Sequence, residues 1–408
     1  MASSTYSVAR AMENSSIRNN VPDLREYAHQ LIVLGNGFDL ASGLPSSYGD
    51  FFEGVSQQVF PDPGSIVGGS WGEHLRKQEL TAWDIILCSK DKDSNWYDVE
   101  GEIKKWVAVH PRGNADRVDT VSSLLSGHRP LGTLSLPTNW REYTGDPLSK
   151  HPEANVARFI IDTTPDWTSK SWGRRAVLDF LLDELHRLET RFMSYLSRVM
   201  DEQEDYPMRA TDILCALEES HSLDEHHRYE VTVLSFNYTM PYEEDGRDLP
   251  FRTDMVNIHG RLDDGSAIFG IDGTDSLDDP DALPFTKTYR VMSADTHDVT
   301  DIALSPTSVY GEATSLIKFF GHSLSEADYS YFQAIFDIVD LYGGDTRLVF
   351  YYRPYRDDDT DGTMARNETM QRVTRLLRAY GKTLDNKDHG KNLLHRLLIE
   401  QRLYLQRI

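Results

Sequence analysis

The chain has 408 residues, with 42 Lys+Arg against 65 Asp+Glu for a formal charge of −23, and 39% of its residues are hydrophobic. That profile belongs to a globular protein with a sizeable core, and the acidic balance argues against nucleic-acid binding over the whole surface, which needs a local excess of Lys and Arg. Two cysteines, Cys88 and Cys215, cannot build a disulfide framework or a four-thiolate zinc site and fit a reducing cytoplasm, and no apolar run approaches the ~20 residues needed to cross a bilayer.

Residues 1–29 read as a polar leader, without the apolar stretch of a secretion signal, running into a first short helix over Asp23–Gln30. Leu31, Ile32, Val33 and Leu34 then read as a strand buried on both faces, stopping at Gly35. Gly35 and Gly37 permit a tight turn, and Ser47 with Asp50 has capping-box spacing, which predicts a following helix. Residues 57–228 read as a mainly helical insertion, dominated by a long amphipathic helix over 175–203. Strand patterns return at 229–236, 254–259, 267–272, 315–321 and 346–352, and a helix over Ser325–Leu341 between the last two gives the order of a parallel crossover. Residues 356–408 read as C-terminal helices, at 365–380 and 391–405. The expected architecture is α/β: a Rossmann-like parallel sheet from 30–56 and 229–355, interrupted by the insertion.

Several of these strand ends carry polar groups at the edge where open parallel sheets bind ligands. Gly35-Asn36-Gly37 lacks the third glycine of the dinucleotide fingerprint, because Leu40 stands there; it serves either phosphate approach or a plain strand-to-helix turn. Asn237 and Thr239 stand at the end of the next strand, as ligand contacts or as caps of a short helix near Pro241. His259 closes another. A lone histidine is more often structural, but its near-neutral pKa makes it the usual general base. Gly321, His322 and Ser323 form a further turn, in which Ser323 can bond a sugar or phosphate and Ser325 has capping-box spacing with Asp328. Asp357, Asp359, Asp361, Gly362 and Glu368 match calcium-loop spacing. They follow a strand and Pro354 rather than a helix, so an acidic turn at a helix N-terminus is expected there, and no metal.

The blocks LIVLGNGFDLASGLPSSYGDFF, LSFNYT, VNIHGRL, IFGID and FGHSLSEADYSYF, in this order over about residues 30–340, resemble the bacterial abortive-infection AbiH family. More distantly the pattern resembles sirtuin-like NAD-binding domains. Gly35 and Gly37 match their turn glycines, Asn237 the asparagine of their N-x-D strand end, His259 their histidine, and Gly321 with Ser323 their last turn, while Phe51 follows Asp50 as in their D-F pair. Asp39 stands where those domains have serine, and Thr239 where they have the second acid. The two cysteines cannot supply the zinc module of the deacetylase branch. The resemblance therefore implies a defence effector that hydrolyses NAD during phage infection, forming a homo-oligomer or working with a sensor or ATPase partner. It implies Asn237 and His259 as catalytic residues and Gly35, Asn36, Gly37, Phe38, Asp39, Phe51, Asp272, Gly321 and Ser323 around the nucleotide, with Phe38 and Phe51 over the nicotinamide. The alternative is a module that binds NAD or a related nucleotide without cleaving it.

Overall fold

Six strands, β1 (Tyr27–Leu34), β2 (Arg228–Ser235), β3 (Thr253–Asn257), β4 (Thr314–Phe320), β5 (Arg347–Tyr352) and β6 (Leu403–Arg407), form one sheet in the order β3-β2-β1-β4-β5-β6. Every neighbouring pair is parallel. The computed structural model describes residues 27–61, 66, 69–89, 98–107, 116–127, 151–219, 228–240, 253–273, 276–293, 314–356, 358–386 and 390–408. This strand order is that of the doubly wound α/β fold, in which the direction of winding reverses between β1 and β4 and a crevice opens beyond the strand C-termini.

Ten helices lie between β1 and β2 among the described residues: α1 (Gly37–Ala41), α2 (Tyr48–Phe51), α3 (Val55–Val59), α4 (Trp71–Lys77), α5 (Ala82–Cys88), α6 (Val99–Val107), α7 (Arg117–Leu125), α8 (Pro152–Thr163), α9 (Arg174–Glu202) and α10 (Tyr206–Glu219). Then α11 (Lys287–Ser293) precedes β4, α12 (Tyr329–Ile338) joins β4 to β5, and α13 (Thr363–Gly381) and α14 (Leu393–Ile399) lead to β6. None of the helices among the described residues is long and apolar enough to cross a membrane.

The sheet is apolar on both faces, and the strand period of two sorts its residues. Ile32, Leu34, Val231, Val233, Leu316, Phe320 and Val349 share one core with the helices between β1 and β2. Leu31, Val33, Leu234, Ile317, Phe319, Leu348 and Phe350 share the other with α12, α13 and α14. The helix expected over 175–203 is α9, whose buried stripe runs from Val177 through Leu181, Leu185, Leu188 and Phe192 to Leu196 and Val199.

Three local expectations give way to other structure. Residues 27–30 extend β1 instead of forming a helix; His29 bonds the hydroxyls of Thr314 (2.7 Å) and Thr232 (3.0 Å) on the flanking strands. The segment 267–272 forms only an isolated bridge between Ile271 and Thr286. Its backbone finds side chains in place of a strand: Phe269 N–H donates to Glu189 Oε1 (2.7 Å), and Arg290 donates to the Phe269 carbonyl (2.6 Å). The chain end, expected as helix to 405, stops at Ile399, and 403–407 pair with β5 as an edge strand.

Buried charges tie these layers together. Glu184 of α9 takes Arg76 (2.6 Å) and the Ala82 N–H (3.0 Å), while Arg191 pairs with Asp84. Lys318, fully buried at the middle of β4, donates to the last carbonyls of α10, those of Leu217 and Glu218. Burial draws its ammonium down to about 7. Arg290 forks onto both carboxylate oxygens of Glu189, fixing the segment after β3 against the long helix. Arg290→Ala would leave Glu189 buried and unpaired, and should lower stability by about 3–5 kcal/mol in urea unfolding. The double variant Glu189→Leu with Arg290→Met should recover part of that loss; a single variant as stable as wild type would contradict this role.

Candidate functional site

The crevice begins with a contact between two backbones. β1 ends at Leu34; the next residue, Gly35, donates its N–H to the Phe320 carbonyl (3.0 Å), and Gly37 N–H donates to the Gly321 carbonyl (2.8 Å). Gly321 adopts φ of +72°, and a Cβ built there would meet Phe38 N at 2.3 Å; one on Gly35 would meet His322 Cα at 2.5 Å, and one on Gly37 would meet Gly321 Cα at 2.7 Å. Only glycine fits at all three positions. Phe38 N–H donates to the Gly35 carbonyl (2.8 Å), so the amides of 35, 37 and 38 are already engaged within the turn. These glycines serve close chain approach, and their amides are not free for a phosphate.

Two cavities of about 570 and 590 Å³ adjoin over this contact, in the size range of small-molecule sites. The first lies on the β1–β3 side. Gly35, Asn36, Gly37, Asp39, Asn237, His259, Gly321 and Ser323 line it, so eight of the eleven expected residues meet at one place. The second lies on the β4–β5 side and is walled by Phe320, Phe350, Tyr352, Arg353 and the face of α13 carrying Glu368 and Arg372. Phe38, Phe51 and Asp272 lie outside both linings. Phe38 is buried edge-on against Phe320, and Phe51 is sealed among Phe52, Phe192 and Tyr195. Both Asp272 oxygens accept from Ser330, its N–H (2.9 Å) and its hydroxyl (2.6 Å), at the start of α12. The aromatic rings that do line the first cavity are Tyr48, Phe192, Phe236, Tyr238 and Tyr355.

Several of the expected polar residues are held by neighbours. Ser46 hydroxyl donates to Asn36 Oδ1 (2.6 Å), and the Ser47–Asp50 capping box forms as the spacing predicts. Asn237 donates through Nδ2 to the Gly35 carbonyl (3.2 Å), while its buried Oδ1 has no partner. Asn257, at the end of β3, steadies the Asn237 turn by donating to the carbonyls of Asn237 (2.8 Å) and Thr239 (3.0 Å). His259 is buried, and its Nε2, 3.7 Å from Asp328 Oδ1, has no hydrogen-bond partner. Burial, reinforced by the Lys287 ammonium, pulls its pKa down to about 3, so the imidazole is neutral.

Lys287, Asp328, Glu100 and His322 form a cluster that the motifs did not single out as a site. Lys287 Nζ lies 2.6 Å from both Asp328 and Glu100. Burial alone would raise Asp328, but the Lys287 ammonium and a hydrogen bond from His322 outweigh it and hold this carboxyl well below the usual range. Burial raises Glu100. Leu324, at φ of +54°, donates its N–H to His322 Nδ1 (2.9 Å), which leaves the His322 proton on Nε2 facing Asp328 Oδ2 (3.4 Å). The Ser325–Asp328 capping box does not form, since the Asp328 carboxylate turns to Lys287. Glu100 comes from α6 and Lys287 from the start of α11, and neither carries a local sequence signal. The capping-box reading named Asp328 for a different role.

Asp39 is the other buried carboxylate. Tyr206 from α10 donates to its Oδ1 (2.8 Å), and Thr239 lies 2.9 Å from Oδ2. The acidic run after β5 acts at a helix start: Asp359 accepts from Met364 and Ala365 N–H (both 2.9 Å), and Glu368 accepts from the Tyr355 hydroxyl (2.8 Å). Asp357 lies outside the described residues. Among the described residues no group of three or more His, Cys, Asp or Glu could hold a metal ion.

Fold and site together define a doubly wound α/β protein with a crevice at its switch point. The model of the bacteriophage abortive infection AbiH family matches residues 31–352, and the chain belongs to that family. Neither the curated proteins nor the solved structures contain a match.

The buried Asp39 gives a pH test. Burial raises it to about 7 despite the hydrogen bonds of Tyr206, Thr239 and Asn237. The folded state thus binds its proton more tightly than the unfolded chain. Its stabilising contribution is full below about pH 4 and is lost as pH rises through about 7. The melting temperature of the Asp39→Asn variant, relative to wild type, should therefore rise between about pH 5 and pH 8.5. A difference that does not change with pH would contradict this assignment.

Proposed function

We propose that this abortive-infection protein hydrolyses NAD to ADP-ribose and nicotinamide in the switch-point crevice. The observation that carries the reading is that Asn237 Oδ1 and His259 Nε2, both buried and both without a hydrogen-bond partner, belong to residues lining the same cavity. Unsatisfied buried polar atoms are costly, and two on one cavity wall are groups that a bound ligand would satisfy. A crevice of two adjoining lobes across this strand order also suits a dinucleotide.

Cleavage of the nicotinamide–ribose bond passes through a cationic, oxocarbenium-like transition state, which asks for positioning and negative potential more than for a strong nucleophile. The first cavity carries the Asp328 carboxylate and the carboxyl groups of Asp39 and Glu100, both raised by burial, beside the Lys287 ammonium and the Arg372 guanidinium. Asn237 orients the ribose and the attacking water. His259 accepts a proton from a ribose hydroxyl or from that water, and Asp328 stabilises the imidazolium that results. His322 cannot do the same, since one ring nitrogen accepts from Leu324 and the other faces Asp328. Phe236 and Tyr238 help exclude bulk water from the reacting end, and Ser323 contacts the ligand's sugar side. The two departures from the sirtuin-like pattern bond to each other: the Thr239 hydroxyl donates to the Asp39 carboxyl group.

One observation favours a second reading, a nucleotide-binding module without catalysis. An imidazole held neutral down to about pH 3 is a weak base. Asn237→Ala and His259→Ala separate the two. Under hydrolysis each should cost about 3–5 kcal/mol of transition-state stabilisation, measured as nicotinamide and ADP-ribose release, with NAD affinity and melting temperature much less affected. Wild-type protein that binds NAD yet releases no nicotinamide, tested with its native partner and trigger, would replace hydrolysis with binding.

A further inference from the structure

We infer that Arg372 is the phosphate-binding residue of the crevice, and that the ligand is a nucleotide carrying its diphosphate where the two lobes meet. The inference deepens the proposed function and rests on its nucleotide-binding part.

A diphosphate in a chain of net charge −23 needs a local cation or free amides. The glycine turn supplies no cradle of amides, because three of its four, those of Gly35, Gly37 and Phe38, already donate to carbonyls. Lys287 does not supply the cation, because its buried ammonium is held between Asp328 and Glu100. Arg353 lines the second lobe alone, and its guanidinium donates to the Ala41 carbonyl (3.2 Å). Arg372 is the one arginine or lysine among the described residues that lines both lobes.

Its present partner is weak. Arg372 lies 3.5 Å from Glu368 Oε2, an oxygen that also accepts the Tyr355 hydroxyl at 2.8 Å, and the arginine side chain is 38% exposed. A guanidinium on so long a contact keeps donors in hand, and its planar fork suits phosphate oxygens. Glu368 holds the place where an anion would sit, so it opposes phosphate binding while it poses the arginine. Arg372 and Glu368 stand on α13, beyond residues 31–352 that the family model matches. The phosphate selectivity of this crevice is therefore set by the C-terminal part of the chain.

Calorimetric titration of the full chain with ADP and with adenosine tests this without requiring turnover. Wild type should bind ADP at least about tenfold more tightly than adenosine, with a preference that weakens as salt rises. Arg372→Gln should bring the ratio of the two affinities close to one, and Glu368→Gln should tighten ADP binding, each with an unchanged melting temperature. An Arg372→Gln variant that keeps the wild-type ratio, or a Glu368→Gln variant that weakens ADP, would overturn the assignment while leaving the nucleotide reading intact. A wild type that binds neither compound nor NAD would overturn the nucleotide reading itself, and Arg372 with it.

Discussion

The architecture depends on a place where two main chains touch with no side chain between them. The turns after β1 and β4 meet through Gly35, Gly37 and Gly321, and any Cβ there would lie within 2.3–2.7 Å of the opposing backbone. Because these are the two strands between which the sheet's winding reverses, the contact sets the floor of the crevice. Substituting any one glycine would push the β1 and β4 turns apart and open the floor on which Asn237 and His322 are placed. Asn237 feels this directly, since its Nδ2 donates to the Gly35 carbonyl.

On that floor stand two buried charge systems of different character. Asp39, Thr239 and Tyr206 form a hydroxyl–carboxyl knot joining the first strand end, the second strand end and α10. Lys287, Asp328 and Glu100 form an ionic one, joining the start of α11, the approach to α12 and α6. Both draw on the helices between β1 and β2, the first through Asp39 of α1 and Tyr206 of α10, the second through Glu100 of α6. Those helices therefore do more than cover one face of the sheet; they close the crevice from above, and Phe192 and Leu196 of α9 complete the wall. A change in how they sit would alter the site's charge, because moving α6 takes the Glu100 carboxylate away from Lys287.

Much of this was legible in the residues. The apolar run of Leu31 to Leu34, the spacing of the 315–321 and 346–352 strands and the long helix stripe all declared themselves through local periodicity. The strand-end residues Asn237, His259 and Ser323 could be placed together because parallel strands bring their C-termini to one edge. What was not legible came from distant partners. Residues 267–272 have the composition of a strand, but Glu189 and Arg290 satisfy the Phe269 backbone, and the sequence separations of 80 and 21 residues carry no periodic signal. Residues 403–407 are too short a run to be told from a helix end, and only β5 makes them a strand. Lys287 and Glu100 lie 187 positions apart, and no motif pairs them. Phe38 and Phe51 sit beside the glycine turn in sequence yet point into the core, since a helix of 5 residues at Gly37–Ala41 and one of 4 at Tyr48–Phe51 turn them inward.

The central claim is that one nucleotide site spans the strand C-termini on both sides of the β1–β4 reversal. Hydrogen–deuterium exchange of the full chain with and without NAD tests it most directly. The account predicts slower exchange, confined to peptides holding 36–49, 235–240, 257–260, 321–325, 352–356 and 368–372, with no change at the opposite strand ends around 228–231 and 314–316. Protection limited to those opposite ends, or no protection at saturating NAD, would contradict it.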